Sequence, residues 1–366
     1  MFDKNQPYND LPSLPPQFNK DDADILKKSY KAAVAVASLS AQTSTAFNNF
    51  SNSFLLMESF FLPEAVSSSE VENIVTTVEE AFDANILPEA ERSGPKKETI
   101  HYKDALFKGM DLLKKRGFLS TNEYSAIQAI LEPNKKGIRS VPGYSLQNQS
   151  TGEVFYTPPE GTELIRAMLK NFDDYLNEAP DDPDAMIRMA ILHYQFEAIH
   201  PFRDGNGRTG RILMPLYLQR HGCLVYPVLF ISSYILKNRS AYYKLLRRVT
   251  SKQEWKPWIL FILDAVETQA NSTYEVLAKV VTLSEQYERK LGTSGIPPTR
   301  HHAIVDFIFT TPTFTRDAFA RGVGVHANTA DSYLQRLRKK DLIQFRKSGK
   351  RLHYYNAKFI TTLKQN

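Results

Sequence analysis

Apolar residues recur at spacings of three and four over most of the chain, the period of a helix with one buried face. From Asp21 to about Asn49 the positions Ile25, Leu26, Tyr30, Ala33, Val34 and Ala37 trace such a stripe and predict a long amphipathic helix. Glu64 to Phe82 also reads as helix, with a break near Ser67, Ser68 and Ser69, whose side chains favour caps. Thr99 to Gly117, Thr121 to Leu131 and Glu160 to Glu178 give three more. Asp184 to Ile199 is apolar all round, as expected of a central buried helix. Thr209 to His221 is helical up to a stop at Gly222, and a long helix runs from about Lys256 to Lys290 behind Trp255 and Trp258. Two stretches break the helical period. Residues 1–20, with Pro7, Pro12, Pro15 and Pro16, read as an extended surface arm. Residues 137–159 alternate apolar and polar positions about a turn from Gln147 to Gly152 and stop at Pro158 and Pro159, which predicts a β-hairpin.

Thr293 to Thr299 is rich in Gly and Pro and reads as a linker. Beyond it the pattern predicts helices at His301 to Phe309 and Thr315 to Arg321, a turn at Gly322 to Val325, a third helix capped by Asn328, and a hairpin turned at Ser348 and Gly349. That succession resembles a winged helix. Charge sharpens the division. From His301 onward twelve Lys and Arg face four Asp and Glu, a balance of +8, so the first 300 residues carry −2 of the chain's +6. Between Asn328 and Arg351 stand eight Lys and Arg and two Asp, which suits either a nucleic-acid phosphate footprint or the solvated face of a protein-contact domain.

At 366 residues and 42% hydrophobic content the chain has material for two domains. A single cysteine, Cys223, excludes an internal disulfide and reads as a small buried apolar residue in a reducing compartment. No apolar run approaches the roughly 20 residues of a membrane span, and the start M-F-D-K-N-Q is polar. The expectation is a cytoplasmic protein without membrane contact. No G-x-x-x-x-G-K-[ST] occurs, which excludes a P-loop.

Candidate chemistry gathers in H-P-F-R-D-G-N-G-R-T-G-R, from His200 to Arg211. His200 can accept a proton from a hydroxyl at neutral pH. Asp204 offers the hard oxygens that Mg²⁺ takes when one carboxylate and substrate phosphates hold it. Gly205, Asn206 and Gly207 allow backbone angles that present successive N–H groups at a helix start, an anion cradle. Arg208 and Arg211 are three apart on one helical face and can fork onto phosphate oxygens. Phe202 reads as a core plug, and His193, one heptad earlier, as a satisfied core histidine.

The stretch resembles the Fic family motif H-x-F-x-[DE]-G-N-G-R-x-x-R at every specified position, and the likeness covers roughly residues 10–290. It implies a mainly α-helical fold with a β-hairpin flap, an N-terminal arm with helices (1–95) and a catalytic core (96–292), to which the pattern of the remaining residues adds a linker (293–300) and a small winged-helix α+β domain (301–366). It further implies transfer of AMP from Mg·ATP to a Ser, Thr or Tyr hydroxyl of a protein, the chain itself included. In that scheme His200 is the base and Asp204 the metal ligand. Asn206 and the amides around Gly205, Gly207, Thr209 and Gly210 take the α- and β-phosphates, Arg208 and Arg211 the β- and γ-phosphates. Tyr242 and Tyr243 would lie near the adenosine, and Gly152 to Tyr156 would border the target segment. Ser68-x-x-x-Glu72-Asn73 fits the family's inhibitory motif, in which Glu72 takes Arg211 from the γ-phosphate. Gly207, where a kinase-like branch has lysine, favours AMP transfer. The resemblance also suggests a homodimer. Two other readings stand beside it: removal of AMP from a modified protein at the same site, and a DNA-binding regulator that works through its tail.

Overall fold

The structure, a computed structural model, describes residues 2–147, 152–178, 184–348 and 351–365. The centres of both expected hairpin turns, at 148–151 and 349–350, lie outside the described residues. The chain is mostly helical. In order it forms α1 (Ala23–Asn48), α2 (Ser53–Val71), α3 (Val78–Asn85), α4 (Gly94–Arg116) and α5 (Thr121–Leu131), then the strands β1 (Leu146–Gln147) and β2 (Val154–Tyr156). There follow α6 (Thr162–Asn177), α7 (Ala185–Ile199), α8 (Asn206–Arg220), α9 (Ser232–Lys237), α10 (Arg239–Lys252) and α11 (Trp255–Leu291). The last part holds α12 (His301–Thr310), β3 (Thr313–Phe314), α13 (Arg316–Val323), α14 (Ala327–Lys339), β4 (Gln344–Ser348), β5 (Arg351–Tyr355) and α15 (Ala357–Leu363). No helix among the described residues is long and apolar enough to cross a membrane.

The residues group into two compact units. One comprises 1–37, 71–73 and 101–270, the other 38–70, 74–100 and 271–366. In this grouping 38–70 and 74–100 gather with the C-terminal residues.

In the first unit α7 is the centre: all its residues from Met186 to Ile199 except Glu197 are buried. It packs between α6 and α8, and α5 joins the same two helices. Tyr124, Phe172, Phe196 and Phe202 form the aromatic floor beneath the His200 stretch, with ring centroids 5.7–6.4 Å apart. Each phenylalanine there contributes about 1.5–3 kcal/mol by leaving water. The Trp258 indole N–H donates to the Ala190 carbonyl at 2.8 Å and ties α11 to the centre. The proline-rich arm is extended, as its prolines require. Leu11 and Leu14 are buried, and Asn171 bonds both the N–H and the carbonyl of Leu14. β1 and β2 pair antiparallel, so the hairpin exists but is short.

In the second unit α12, α13 and α14 accompany an antiparallel sheet of order β3-β5-β4. Phe307, Phe314 and Phe319 pack together there. The Gly/Pro stretch 293–300 is an ordered part of this unit: Ile296 is buried, the Gly295 carbonyl accepts from Arg336, and Thr293 Oγ1 accepts from Lys340.

Several elements depart from the pattern-based expectation. The break expected near the serines falls later: Ser68 and Ser69 are buried inside α2, which starts at Ser53 and carries Pro63. The irregular stretch is 72–77, closed by a capping box between Thr77 and Glu80 that opens α3. A run as apolar as F-L-L-M-E-S-F-F-L is helical because burial outweighs the local cost of the proline. Asn328 is not the cap of α14, which begins at Ala327 behind His326. Cys223 is only half-buried. The strand β3 and helices α9, α10 and α15 had no distinct periodic signal.

Candidate active site

α7 ends where His200 enters the left-handed region, at φ 49° and ψ 58°. The step throws the imidazole away from the helix axis, and the backbone is held there by one buried arginine. Arg139 Nε donates to the His200 carbonyl at 2.8 Å, its Nη2 to the carbonyls of Ile199 (3.3 Å) and Pro159, and its own N–H bonds the Pro201 carbonyl at 2.9 Å. The ring lies against Tyr144, with centroids 5.6 Å apart, and His200 Nδ1 faces the Glu197 carbonyl at 3.3 Å. With that carbonyl accepting, Nδ1 carries the hydrogen and Nε2 is left as the acceptor. Burial pushes the His200 pKa down to about 4, outweighing the Glu197 carbonyl, so the ring is neutral at physiological pH.

The loop after His200 is clamped from inside. The Asn206 carboxamide accepts from Phe202 N–H and donates to the Phe202 carbonyl, both at 2.8 Å, and the residue also lines the cavity. Gly205, at φ 79°, is the N-cap of α8, and its carbonyl accepts both the N–H and the hydroxyl of Thr209. α8 therefore begins at Asn206, three residues earlier than its apolar period suggests, and Gly207 is helical. Gly207 is needed for space: a Cβ there would stand 2.3 Å from Glu72 Oε1 and 2.9 Å from Arg211 Nη1. Gly210 faces the other way, where a Cβ would meet Glu197 Oε1 at 2.6 Å, so Gly210 and Thr209 serve packing and lie outside the cavity lining. The first residues of α8, Asn206 to Arg208, line the cavity, and a helix start leaves its first amides without intrahelical partners.

The two motif arginines part company. Arg208 is buried and pairs with Glu132 at 2.5 Å, while Arg211 is buried and pairs with Glu72 at 2.8 Å. Glu72, in the turn after α2, thus sets a carboxylate oxygen on Arg211 Nη2. Burial works against the Arg211 charge, but the carboxylates of Glu72 and Glu197 outweigh it and raise its pKa. Glu197 is a second carboxylate beside the same arginine. Burial lifts its pKa to about 7, with Arg211 opposing and Glu72 adding to the rise.

Asp204 is the one carboxylate of the motif loop, and Lys135 Nζ lies 2.5 Å from its Oδ2. Burial would raise its pKa, but the hydrogen bonds from Lys135 and the Gly205 N–H prevail and hold it below the usual carboxylate range. Among the described residues no cluster of three or more His, Cys, Asp or Glu could hold a metal by itself. The donor set still fits Mg²⁺ of the kind bound by one carboxylate with phosphates and water, provided Lys135 moves aside.

These groups line one cavity of about 920 Å³, with His200, Asp204, Gly205, Asn206, Gly207, Arg208, Arg211 and Glu72 on its wall. Tyr242 and Tyr243 line it as well. Tyr242 is buried with its hydroxyl 2.9 Å from His193 Nε2, while His193 Nδ1 is buried with no partner among the described residues, so that core histidine is only half satisfied. Phe155 and Tyr156 of the hairpin form another part of the wall. Arg139, Tyr144, Lys135, Glu132 and Arg239 had gone unnoticed in the sequence. No local pattern in K-K-G-I-R-S-V marks Arg139, whereas a lone carboxylate in an apolar helix was the available signal for Glu197.

A helical core whose α7–α8 junction carries a neutral histidine beside a helix N-terminus defines the class, and comparison with known proteins agrees. The chain belongs to the Fic/DOC family: the family model matches residues 118–218 and the model of the family's N-terminal region matches residues 26–111. It is 36% identical over 110 residues to the protein adenylyltransferase Fic of Drosophila willistoni, covering 30% of this chain and 21% of that one. It is 31% identical over 165 residues to that of Drosophila mojavensis, covering 43% and 31%. The chain thus matches between about a fifth and a third of the length of these relatives. Similar solved structures are a Fic family protein from Desulfovibrio desulfuricans G20 (TM-score 0.50, 18% identity, 88% of this chain and 96% of that one) and a Fic domain containing signaling protein from Bacteroides thetaiotaomicron VPI-5482 (TM-score 0.51, 21% identity, 70% and 96%).

Proposed function

We propose that the chain is a protein adenylyltransferase that moves AMP from ATP to a protein hydroxyl and is held back by Glu72. The observation that carries this reading is the neutral His200, with Nε2 as acceptor, beside the α8 N-terminus and Arg211 on one cavity wall. His200 Nε2 takes the proton of a Ser, Thr or Tyr hydroxyl as its oxygen attacks the α-phosphorus. The new O–P bond forms while the bond from the α-phosphorus to the bridging oxygen breaks, and pyrophosphate leaves. The α8 amides and Arg211 meet the phosphate charge. Mg²⁺ on Asp204 would supply charge neutralisation between the phosphates. The target segment lies along the β1–β2 hairpin by strand addition, with Gly152 to Tyr156 beside it.

The test is intact-mass spectrometry of the chain, with candidate target proteins present, after incubation with Mg·ATP. Wild type, Glu72→Gly and His200→Ala are run in parallel. An AMP adduct that grows in the Glu72 variant and is lost in the His200 variant is expected; an adduct retained without His200 would overturn the assignment. A second reading, removal of AMP by water, is favoured by Glu72 and His200 sharing the cavity. Release of AMP from a purified adduct by wild type but not by Glu72→Gly would support it.

We further infer that residues 301–366 form a winged-helix module for protein contact. The helices α12, α13 and α14 with the three-stranded sheet support this reading, and α15 follows them. Arg346 is paired to Asp83 and Arg316 to Asp317, while Arg336 donates to the Gly295 carbonyl, which leaves less of the basic surface for phosphates. A salt-dependent duplex shift abolished by replacing Arg336, Arg338 and Lys339 would reverse that choice.

A further inference from the structure

Glu72 reaches Arg211 from a segment that has already left its helix. α2 ends at Val71, Glu72 and Asn73 form a turn, and residues 74–77 have no regular structure. A carboxylate on such a segment is placed only as well as its neighbours are fixed, since every free backbone torsion adds entropy to lose. Asn73 has φ 64°, the left-handed conformation common at helix ends. That backbone role does not require the side chain, for glycine would fill it as well.

The side chain has a different use. Asn73 Oδ1 accepts from Arg239 Nη1 at 2.9 Å, across 166 positions of sequence. Arg239 is the first residue of α10, and its guanidinium lies 5.9 Å from the centroid of the Tyr243 ring. Glu72, Asn73, Arg239, Ser240 and Tyr243 all line the cavity. The turn bearing Glu72 is closed by the Ile74 N–H on the Ser69 carbonyl at 3.0 Å, and its side chains hold it in two further places: the Glu72 carboxylate on Arg211, and one residue later the charge-assisted hydrogen bond from Arg239.

We propose that Arg239 is a positioning residue for the Glu72 plug, a latch that holds the inhibitory carboxylate on Arg211 by gripping Asn73. Because the latch is part of the cavity wall, a ligand that draws the Arg239 guanidinium to itself loosens the plug, which couples cavity occupancy to release. The proposal rests on the reading of Glu72 as inhibitory.

Asn73→Gly keeps the left-handed backbone and removes the acceptor; Asn73→Asp keeps an acceptor and adds charge to it. The initial rate of AMP transfer is compared in wild type, Glu72→Gly, Asn73→Gly, Asn73→Asp, Arg239→Ala with Asn73→Gly, and Asn73→Gly with Glu72→Gly. ATP affinity is measured by calorimetry with His200→Ala added to each. Asn73→Gly should raise the rate several-fold toward that of Glu72→Gly and tighten ATP binding by a similar factor. Adding Arg239→Ala should give no further release, Asn73→Gly should add nothing once Glu72 is gone, and Asn73→Asp should be no faster than wild type. If Glu72→Gly accelerates transfer while Asn73→Gly changes neither rate nor affinity, the latch is wrong and the inhibition stands. Acceleration by Asn73→Asp equal to that by Asn73→Gly also overturns the latch. If Glu72→Gly itself brings no acceleration, the inhibitory reading fails and the latch with it.

Discussion

A general base is useful only where it is unprotonated, and burial sets that range for His200. With its pKa pushed down to about 4, the ring is an acceptor throughout the physiological range. The expected kcat/KM profile of Glu72→Gly therefore has its acidic limb well below the ordinary histidine pKa of about 6.5, since the variant keeps the burial and loses the Glu72 charge that raises the His200 pKa, and activity is lost as pH falls through that limb. A limb near 6.5 would mean that the imidazole is wetter than its surroundings indicate. Glu197 carries the opposite sign. Its pKa is raised to about 7, so between its ordinary value and 7 the folded chain keeps a proton that the unfolded chain has released. Stability then falls as pH rises through that window. Replacing Glu197 by Gln should flatten the fall, read as the denaturant midpoint at pH 5 and pH 8; an unchanged slope in the Gln variant would reject the assignment.

Arg139 works at the scale of elements, because it joins the entry of the hairpin to the end of α7 through carbonyls of Pro159, Ile199 and His200. Arg139→Met should lower stability by about 2–4 kcal/mol, since buried carbonyls lose their donors. It should also lower kcat more than it changes the KM for ATP, because it displaces the base and leaves the α8 amides in place. An equal effect on both would point to a general loss of fold. This residue also shows what the sequence could reveal. The chemistry from His200 to Arg211 was legible because its members are neighbours in sequence and one helix start gathers them. Glu72 was legible only through its spacing from Ser68 and Asn73. Arg139, Tyr144 and Lys135 act on His200 and Asp204 across 56 to 69 positions, and no local period records such contacts. The helices of the centre followed from periodicity, whereas the break after α2 did not, because an apolar run with a proline and serines signals its end in the wrong place. The side chains of Asn206 and Thr209 bond the backbone of the loop they belong to, a use that their place in the motif does not reveal.

At the scale of the whole molecule the role proposed for the Glu72–Arg211 pair predicts a trade of stability against ligand binding, because a carboxylate and a phosphate would compete for the same guanidinium donors. The pair joins an arginine 2% exposed to a carboxylate 36% exposed, so its loss is felt mainly at the buried end. Without ligand, Glu72→Gly is expected to be less stable than wild type by about 1–3 kcal/mol, as a buried charge gives up its partner and keeps Glu197 nearby. With Mg·ATP the order should narrow or reverse. A ligand that binds only the folded state adds about 2.7 kcal/mol when present at 100 times its Kd, and a variant that binds more tightly reaches that increment at a lower concentration. By linkage, the factor by which the plug weakens ATP is the same factor by which ATP weakens the plug. The increment belongs to the unit that contains α7 and α8, so thermal unfolding should be followed with a probe in that unit, with and without Mg·ATP, and with His200→Ala present to prevent modification. A larger ATP-induced rise for Glu72→Gly than for its parent is expected; equal rises would mean that Glu72 and the nucleotide do not compete for Arg211.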